Sequence, residues 1–225
     1  MRRAASLLIL PLILVSGSAL QAQSPHMGFS LNLTVPTGGF ASTTYPAYSY
    51  LDYQNNLQMV PPQKETYDLG VGGSFTVSFP TSRNLALRLN LSGSSENGTN
   101  RAPGEATINL RHSIFSLGGD LQIFPQGTAF RHRGLYFVAG LAADFEQFDR
   151  SFGDISSGYY YNNNVDTTRK SRMGGNVGIG HSFGRDAGMR FTMEATYHAT
   201  LTAHDVNAGE PPSTDFVKMA FGFVF

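Results

Sequence analysis

Several charged side chains recur at alternating positions within segments that are otherwise small or apolar: Arg88, Asp120, Asp144, Glu146, Lys170, Arg172, Arg190, Glu194 and Lys218. Both signs are present. Such a set suits ion pairing, the lining of a narrow pore, or the passing of protons between carboxylates. A charge taken out of water alone is very costly, so a buried set must be paired or hydrated. Nucleophilic chemistry has one foothold. His198-Ala199-Thr200 puts a base two positions from a hydroxyl, with Glu194 as an orienting acid. A working base needs its nucleophile within about 3 Å, and an ordinary rim histidine fits this spacing as well. His112, His132, His181 and His204 follow no metal-ligand spacing, and neither a metal nor another cofactor is expected. Gly174-Gly175-Asn176-Val177-Gly178-Ile179-Gly180 imitates a phosphate-binding loop, yet it lies inside a strand pattern and not between a strand and a helix. The chain has no cysteine, which excludes disulfides, thiolate metal sites and a thiol nucleophile.

A second group of candidates lies outside the alternating segments. Tyr45, Tyr48, Tyr50 and Tyr53 fall in one long connection and Tyr159, Tyr160 and Tyr161 in another, the latter followed by three asparagines. Tyrosine among Asn, Ser and Gly suits adaptable recognition of an extracellular ligand or surface.

The elements that must position these residues are strands. Phe29, Leu31, Leu33 and Val35 alternate with Ser30, Asn32 and Thr34; Leu85, Leu87, Leu89 and Leu91 alternate with Ala86, Arg88, Asn90 and Ser92. The same period of two runs through segments beginning near Tyr67, Phe115, Leu135, Met173, Met189 and Val217, and it marks strands with two unlike faces. Upstream of Phe115, Ile108 and Leu110 take the opposite parity, so a bulge or a change of environment is expected near His112. The connections alternate in length. Pro36–Thr66, Gly93–Thr107, Asp149–Thr168 and Leu201–Thr214 are long; Thr81–Asn84, Pro125–Gly134 and Gly184–Ala187 are short. Outer-membrane barrels have short periplasmic turns and long extracellular loops. The expected fold is all-β, a closed antiparallel up-and-down transmembrane barrel of eight strands, or ten if the first long loop adds a hairpin. Phe29, Phe79, Phe124, Phe137, Phe183 and Phe225 fall at the strand ends and are expected to form an interfacial girdle.

The N-terminus reads as a secretory signal peptide over residues 1–22: Arg2 and Arg3, then an apolar run from Leu7 to Val15 too short to span a bilayer. Residues 23–225 then form one barrel domain. Without the leader, 16 − 2 = 14 basic residues face 16 acidic ones, which gives no footprint for nucleic acid.

Val217-Lys218-Met219-Ala220-Phe221-Gly222-Phe223-Val224-Phe225 resembles the terminal strand of bacterial outer-membrane barrels, and Leu135–Asp144 is similar to a mid-barrel strand of the small OmpA-like and OmpX-like "outer membrane protein β-barrel" family. The resemblance implies a Gram-negative cell-envelope protein, exported through the periplasm to the outer membrane. It implies Phe221, Phe223 and Phe225 as part of the signal read by the barrel-assembly machinery. The partners so expected are outer-membrane lipid, lipopolysaccharide and that machinery, with the barrel a monomer. A largely filled lumen with a structural or adhesive role in the loops is the leading expectation, and no catalytic residue is assigned. A narrow, porin-like channel is the alternative. A lipid A-modifying barrel enzyme is the third reading, and the Thr200 in place of a nucleophilic serine weighs against it.

Overall fold

In the computed structural model the residues described are 24–45, 48–51, 54–60, 62–101, 108–152, 166–184, 188–202 and 213–225. The leader expected over 1–22 lies outside them. The strands are β1 (His26–Pro36), β2 (Ser42–Tyr45), β3 (Tyr48–Leu51), β4 (Leu57–Val60), β5 (Gln63–Tyr67), β6 (Gly70–Pro80), β7 (Leu85–Arg101), β8 (Ile108–Ile123), β9 (Gly134–Phe152), β10 (Asp166–Phe183), β11 (Arg190–Thr200) and β12 (Phe216–Val224). One helical turn, α1 (Gly38–Ala41), follows β1, and a 3-10 turn spans Ala129–Arg131.

Eight of these strands close on themselves. β6 pairs with β1, β1 with β12, and neighbours continue antiparallel through β11, β10, β9, β8 and β7 back to β6. The first long loop does add strands, but β2 and β5 extend the upper edge of β7, and β3 and β4 form a separate two-stranded sheet. The barrel therefore stays eight-stranded.

Alternation decides the two faces. Outward side chains form an apolar belt: Met27 to Val35 on β1, Phe115 to Ile123 on β8, Phe137 to Phe145 on β9, and Met189 to Tyr197 at β11. Each stretch matches the roughly 9–11 residues that a tilted strand needs to cross a bilayer. Leu31 is 75% exposed and Val177 59%. A soluble monomer rarely shows a contiguous apolar patch of this kind, whereas a closed barrel with every ladder bond satisfied can place it in lipid. One row of directly registered rings, Phe183, Phe191, Phe223, Phe29 and Phe75, runs across five adjacent strands. Because strands tilt, such a row climbs obliquely through the belt and does not form a level girdle. Phe124 leaves the expected girdle altogether. Its even parity turns it inward, where it is fully buried against Ala86, Ala129, Tyr136 and Val138.

The wall is uneven in height. β9 has 19 residues and β12 has 9, so β7–β10 project beyond the belt at the end that carries the long connections, the end that is extracellular in outer-membrane barrels. No bulge occurs near His112: the β7–β8 register runs unbroken from Leu85↔Ile123 to Asn100↔Ile108. The environment changes instead, because Leu110 and Ile114 point into an apolar upper lumen with Phe40, Tyr67 and Phe216. The bulge lies elsewhere. Tyr67 pairs with Gly98 and Val71 with Ser95, so one extra residue is accommodated around Asp68–Gly70, where Asp68 N donates to Asn97 O at 2.7 Å. That extra residue flips the parity and sends Tyr67 inward, not outward with the lipid-facing set of its segment.

The projecting wall gives a direct test of orientation. A cysteine at Asn97 should be labelled on intact cells by a membrane-impermeant maleimide, while one at Asn84, in the β6–β7 turn, should be labelled only after the outer membrane is opened.

Candidate functional site

The lumen holds the chemistry, in layers set by alternation. In the middle layer Arg88 (β7) donates Nε to Asp120 Oδ2 on the neighbouring β8 at 2.9 Å. Its two terminal nitrogens reach across the lumen to Glu194 on β11, Nη1 to Oε2 at 2.5 Å and Nη2 to Oε1 at 3.0 Å. Tyr136 Oη donates to the same carboxylate at 3.0 Å. Planar bidentate contact of this kind is the strongest form of side-chain hydrogen bonding, and here all partners are buried. Lys218 lines the same small cavity as Arg88 and Glu194.

Counting residues up from the strand ends pairs Glu194 with Lys218, but that pair does not form, because the register matches Glu194 with Ala220 and Lys218 with Thr196, two residues higher. Arg88 takes Glu194 instead. Above this layer, Arg172 Nε stands 3.2 Å from Glu146 Oε2, and Thr214 Oγ1 donates to Glu146 Oε1 at 2.6 Å. Asp144 faces Arg172 in register but engages His198 Nε2 at 3.0 Å, and Ser116 Oγ donates to it at 2.6 Å. Lys170 lies opposite Glu146 in the β9–β10 register. Arg190 sits at the other end of the barrel, where Nη1 donates to the carbonyl of Arg131.

His198 is buried and not a rim residue. Its ring contacts are Asp144, Asn176 Oδ1 at 2.8 Å from Nδ1, and the stacked ring of Phe216. Glu194 is engaged elsewhere, and the Thr200 hydroxyl contacts Thr214, so base, acid and hydroxyl are not assembled for nucleophilic attack. The glycines of β10 make room for these rings. A Cβ on Gly174 would stand 2.6 Å from Asp144 Oδ2, and one on Gly180 would stand 2.5 Å from Tyr136 Oη.

One buried pair was not singled out from the sequence. Glu96 and His112, both fully buried, meet at 2.9 Å between Oε2 and Nδ1. Thr34 and Ser94 donate to the other carboxylate oxygen at 2.6 and 2.8 Å. Phe148 stacks on the imidazole, and Phe40 meets it edge-on. The even-numbered run Ser94, Glu96, Gly98, Asn100 was the available signal, since it continues the inward parity of β7 past Gly93.

Among the described residues, connections of the chain fold into both ends of the lumen. At the extracellular end α1 tucks Phe40 into the lumen, anchored by Thr37 N donating to Asp215 O at 2.8 Å. At the periplasmic end the β8–β9 connection folds inward. Ala129 N donates to Arg83 O at 2.9 Å, His26 Nε2 meets Phe130 O at 3.0 Å, and His132 is buried among Phe124, Tyr136 and His26. His132 adopts φ +43°. Burial first, then the nearby His26, Arg88 and Arg190, push its pKa down to about 3.

Of the other sequence candidates, Phe221, Phe223 and Phe225 face outward on or just past β12. Tyr45 ends β2, and Tyr48 and Tyr50 lie in β3. Tyr53, Tyr159, Tyr160 and Tyr161 lie outside the described residues.

An ion-paired interior, an apolar exterior and full closure occur together only in a strand-built membrane protein. The chain is a small transmembrane β-barrel. No protein-family model matches it, and no curated protein matches it in sequence. Among solved structures it is similar to Ail, the attachment invasion locus protein of Yersinia pestis, crystallised with the heparin analogue sucrose octasulfate: 10% identity over 90% of this chain and 97% of that one, TM-score 0.46. OprG of Pseudomonas aeruginosa is 11% identical over 90% and 96%, TM-score 0.48. The N-terminal β-barrel domain of OprF from the same organism is 11% identical over 91% and 100%, TM-score 0.31.

Two outcomes follow for the barrel. Arg88→Gln strands two buried carboxylates and should cost about 3–5 kcal/mol, measured by guanidinium unfolding in micelles, whereas adding Asp120→Asn and Glu194→Gln should restore much of that loss. His132 is neutral in the folded barrel, while the unfolded chain takes up a proton below pH 6.5. The stability it contributes is therefore complete above pH 6.5 and drains as the pH falls towards 3. Acidification from pH 7 to 5 should cost wild type about 2 kcal/mol more than His132→Asn, a side chain that tolerates positive φ.

Proposed function

We propose that the barrel is a sealed membrane scaffold, structural or adhesive in role, that conducts nothing through its lumen and acts through its extracellular surface. The observation that supports this reading is the filling of the lumen. Among the described residues, the space beside Arg88, Glu194 and Lys218 is a cavity of about 30 Å³. That is room for a water or two. An eight-stranded barrel is just wide enough for its own side chains, and here rings and ion pairs occupy it from Phe40 down to His132. An enzymatic role finds no support in the arrangement of His198, Thr200 and Glu194. The charge-lined channel is the second reading, because the lumen is polar over most of its height.

Conductance separates the two. The purified barrel in a planar bilayer should give no discrete openings in molar potassium chloride. Reproducible single-channel steps from wild-type protein would favour the channel.

A further inference from the structure

The exterior of the projecting wall changes character at one registered level. Phe115 and Phe145, the last rings of the belt on β8 and β9, are followed two residues higher by Ser113, Gln147 and, on β10, Arg169. The next row holds Arg111, Asp149 and Thr167. Arg169 and Arg111 are both exposed, and each is tethered through Nε to a side chain of an adjacent strand: Arg169 donates to Gln147 Oε1 at 3.2 Å, and Arg111 donates to Ser95 Oγ at 3.1 Å. That single contact through Nε leaves the two terminal nitrogens of each guanidinium available to a ligand. Asp149, the acid between them, accepts from Gln147 Nε2 at 3.1 Å and Thr167 Oγ1 at 2.8 Å, and the patch keeps a net positive charge. Beside Arg169 lies an open concavity of about 350 Å³, lined by the outward-facing Phe145, Gln147, Arg169 and Ser171 with the intervening Glu146 and Lys170.

We infer that this stretch of outer wall, Arg169 with Arg111, binds a phosphate group of a phosphorylated glycolipid of the outer leaflet. Phe145 lies at the foot of the concavity, where the first acyl methylenes run, and the guanidinium sits at headgroup height. A guanidinium with paired terminal N–H groups fits a phosphate in two-point contact. The inference rests on the barrel's place in the outer membrane and is independent of whether the lumen conducts. Arg83, in the β6–β7 turn at the opposite end, is an arginine outside the site and serves as the control.

The full-length barrel, refolded in micelles, is titrated with bis-phosphorylated lipid A and, separately, with the same lipid stripped of phosphate, and bound lipid is counted by native mass spectrometry. Wild type should hold the phosphorylated form more tightly. Arg169→Gln should weaken that binding about tenfold, as loss of a charge-assisted contact does. Arg111→Gln should weaken it in the same direction, and Arg83→Gln should leave it unchanged. Heat-modifiable migration of each variant reports folding separately, so a barrel that never assembled is not read as lost binding. Equal binding by folded Arg169→Gln and wild type would overturn the site, as would an equal loss in Arg83→Gln or indifference to phosphate.

Discussion

A closed eight-stranded barrel gives its inward side chains nowhere to go, and every charge placed there must find its partner across a space one or two side chains wide. Arg88 meets that constraint for the whole mid-lumen. Its Nε satisfies the carboxylate on the adjacent strand and its terminal nitrogens satisfy one on the far wall, so a single guanidinium ties β7, β8 and β11. Such a pair adds little over an apolar core of the same volume, yet removing one member leaves buried charge that nothing can compensate. Its contacts favour the register and closure that bring these three strands to one guanidinium.

The same geometry explains why the lumen carries its main ion-pair network at mid-height and gathers apolar clusters towards both ends. The membrane reverses the usual assignment of faces, so Leu, Val and Phe go outward and the polar residues must pack among themselves. Away from the bilayer the rule relaxes. In the projecting wall Leu110, Ile114 and Phe148 turn inward, close around Phe40 and form a small conventional core. At the periplasmic end Phe124, Ala129 and Val138 do the same beneath the inward-folded β8–β9 connection. Two apolar stoppers thus enclose one ionic middle.

Much of this was legible as pattern. A side-chain period of two fixes which residues share a face, and it placed Arg88, Asp144, Glu194 and Lys218 on one side without any knowledge of partners. The Arg88–Asp120 contact was also accessible, since each residue sits at a similar height above its own short connection, Arg88 above Asn84 and Asp120 above Pro125. Glu194 was not, because counting from strand ends ignores shear, and the β11–β12 register sets Lys218 two residues from where that count puts it. The parity change at Ile108 was visible but ambiguous between a bulge and a new environment. Only the unbroken pairing of β7 with β8 distinguishes them, and the real bulge at Asp68–Gly70 was hidden inside an alternation that looked continuous through Tyr67. The periplasmic stopper left one trace: Pro125–Gly134 is much longer than the other two short turns, more chain than a simple turn requires.

A sealed lumen makes its centre unreachable from either side, and Asn90, buried one turn of the pleat above Arg88, is the place to ask. A single cysteine there, in a chain with no other, should resist a small cationic methanethiosulfonate added to either face of the reconstituted barrel and react fully once the barrel is unfolded. Rapid modification of the folded barrel from one side would show an open path to the clamp and would contradict the account.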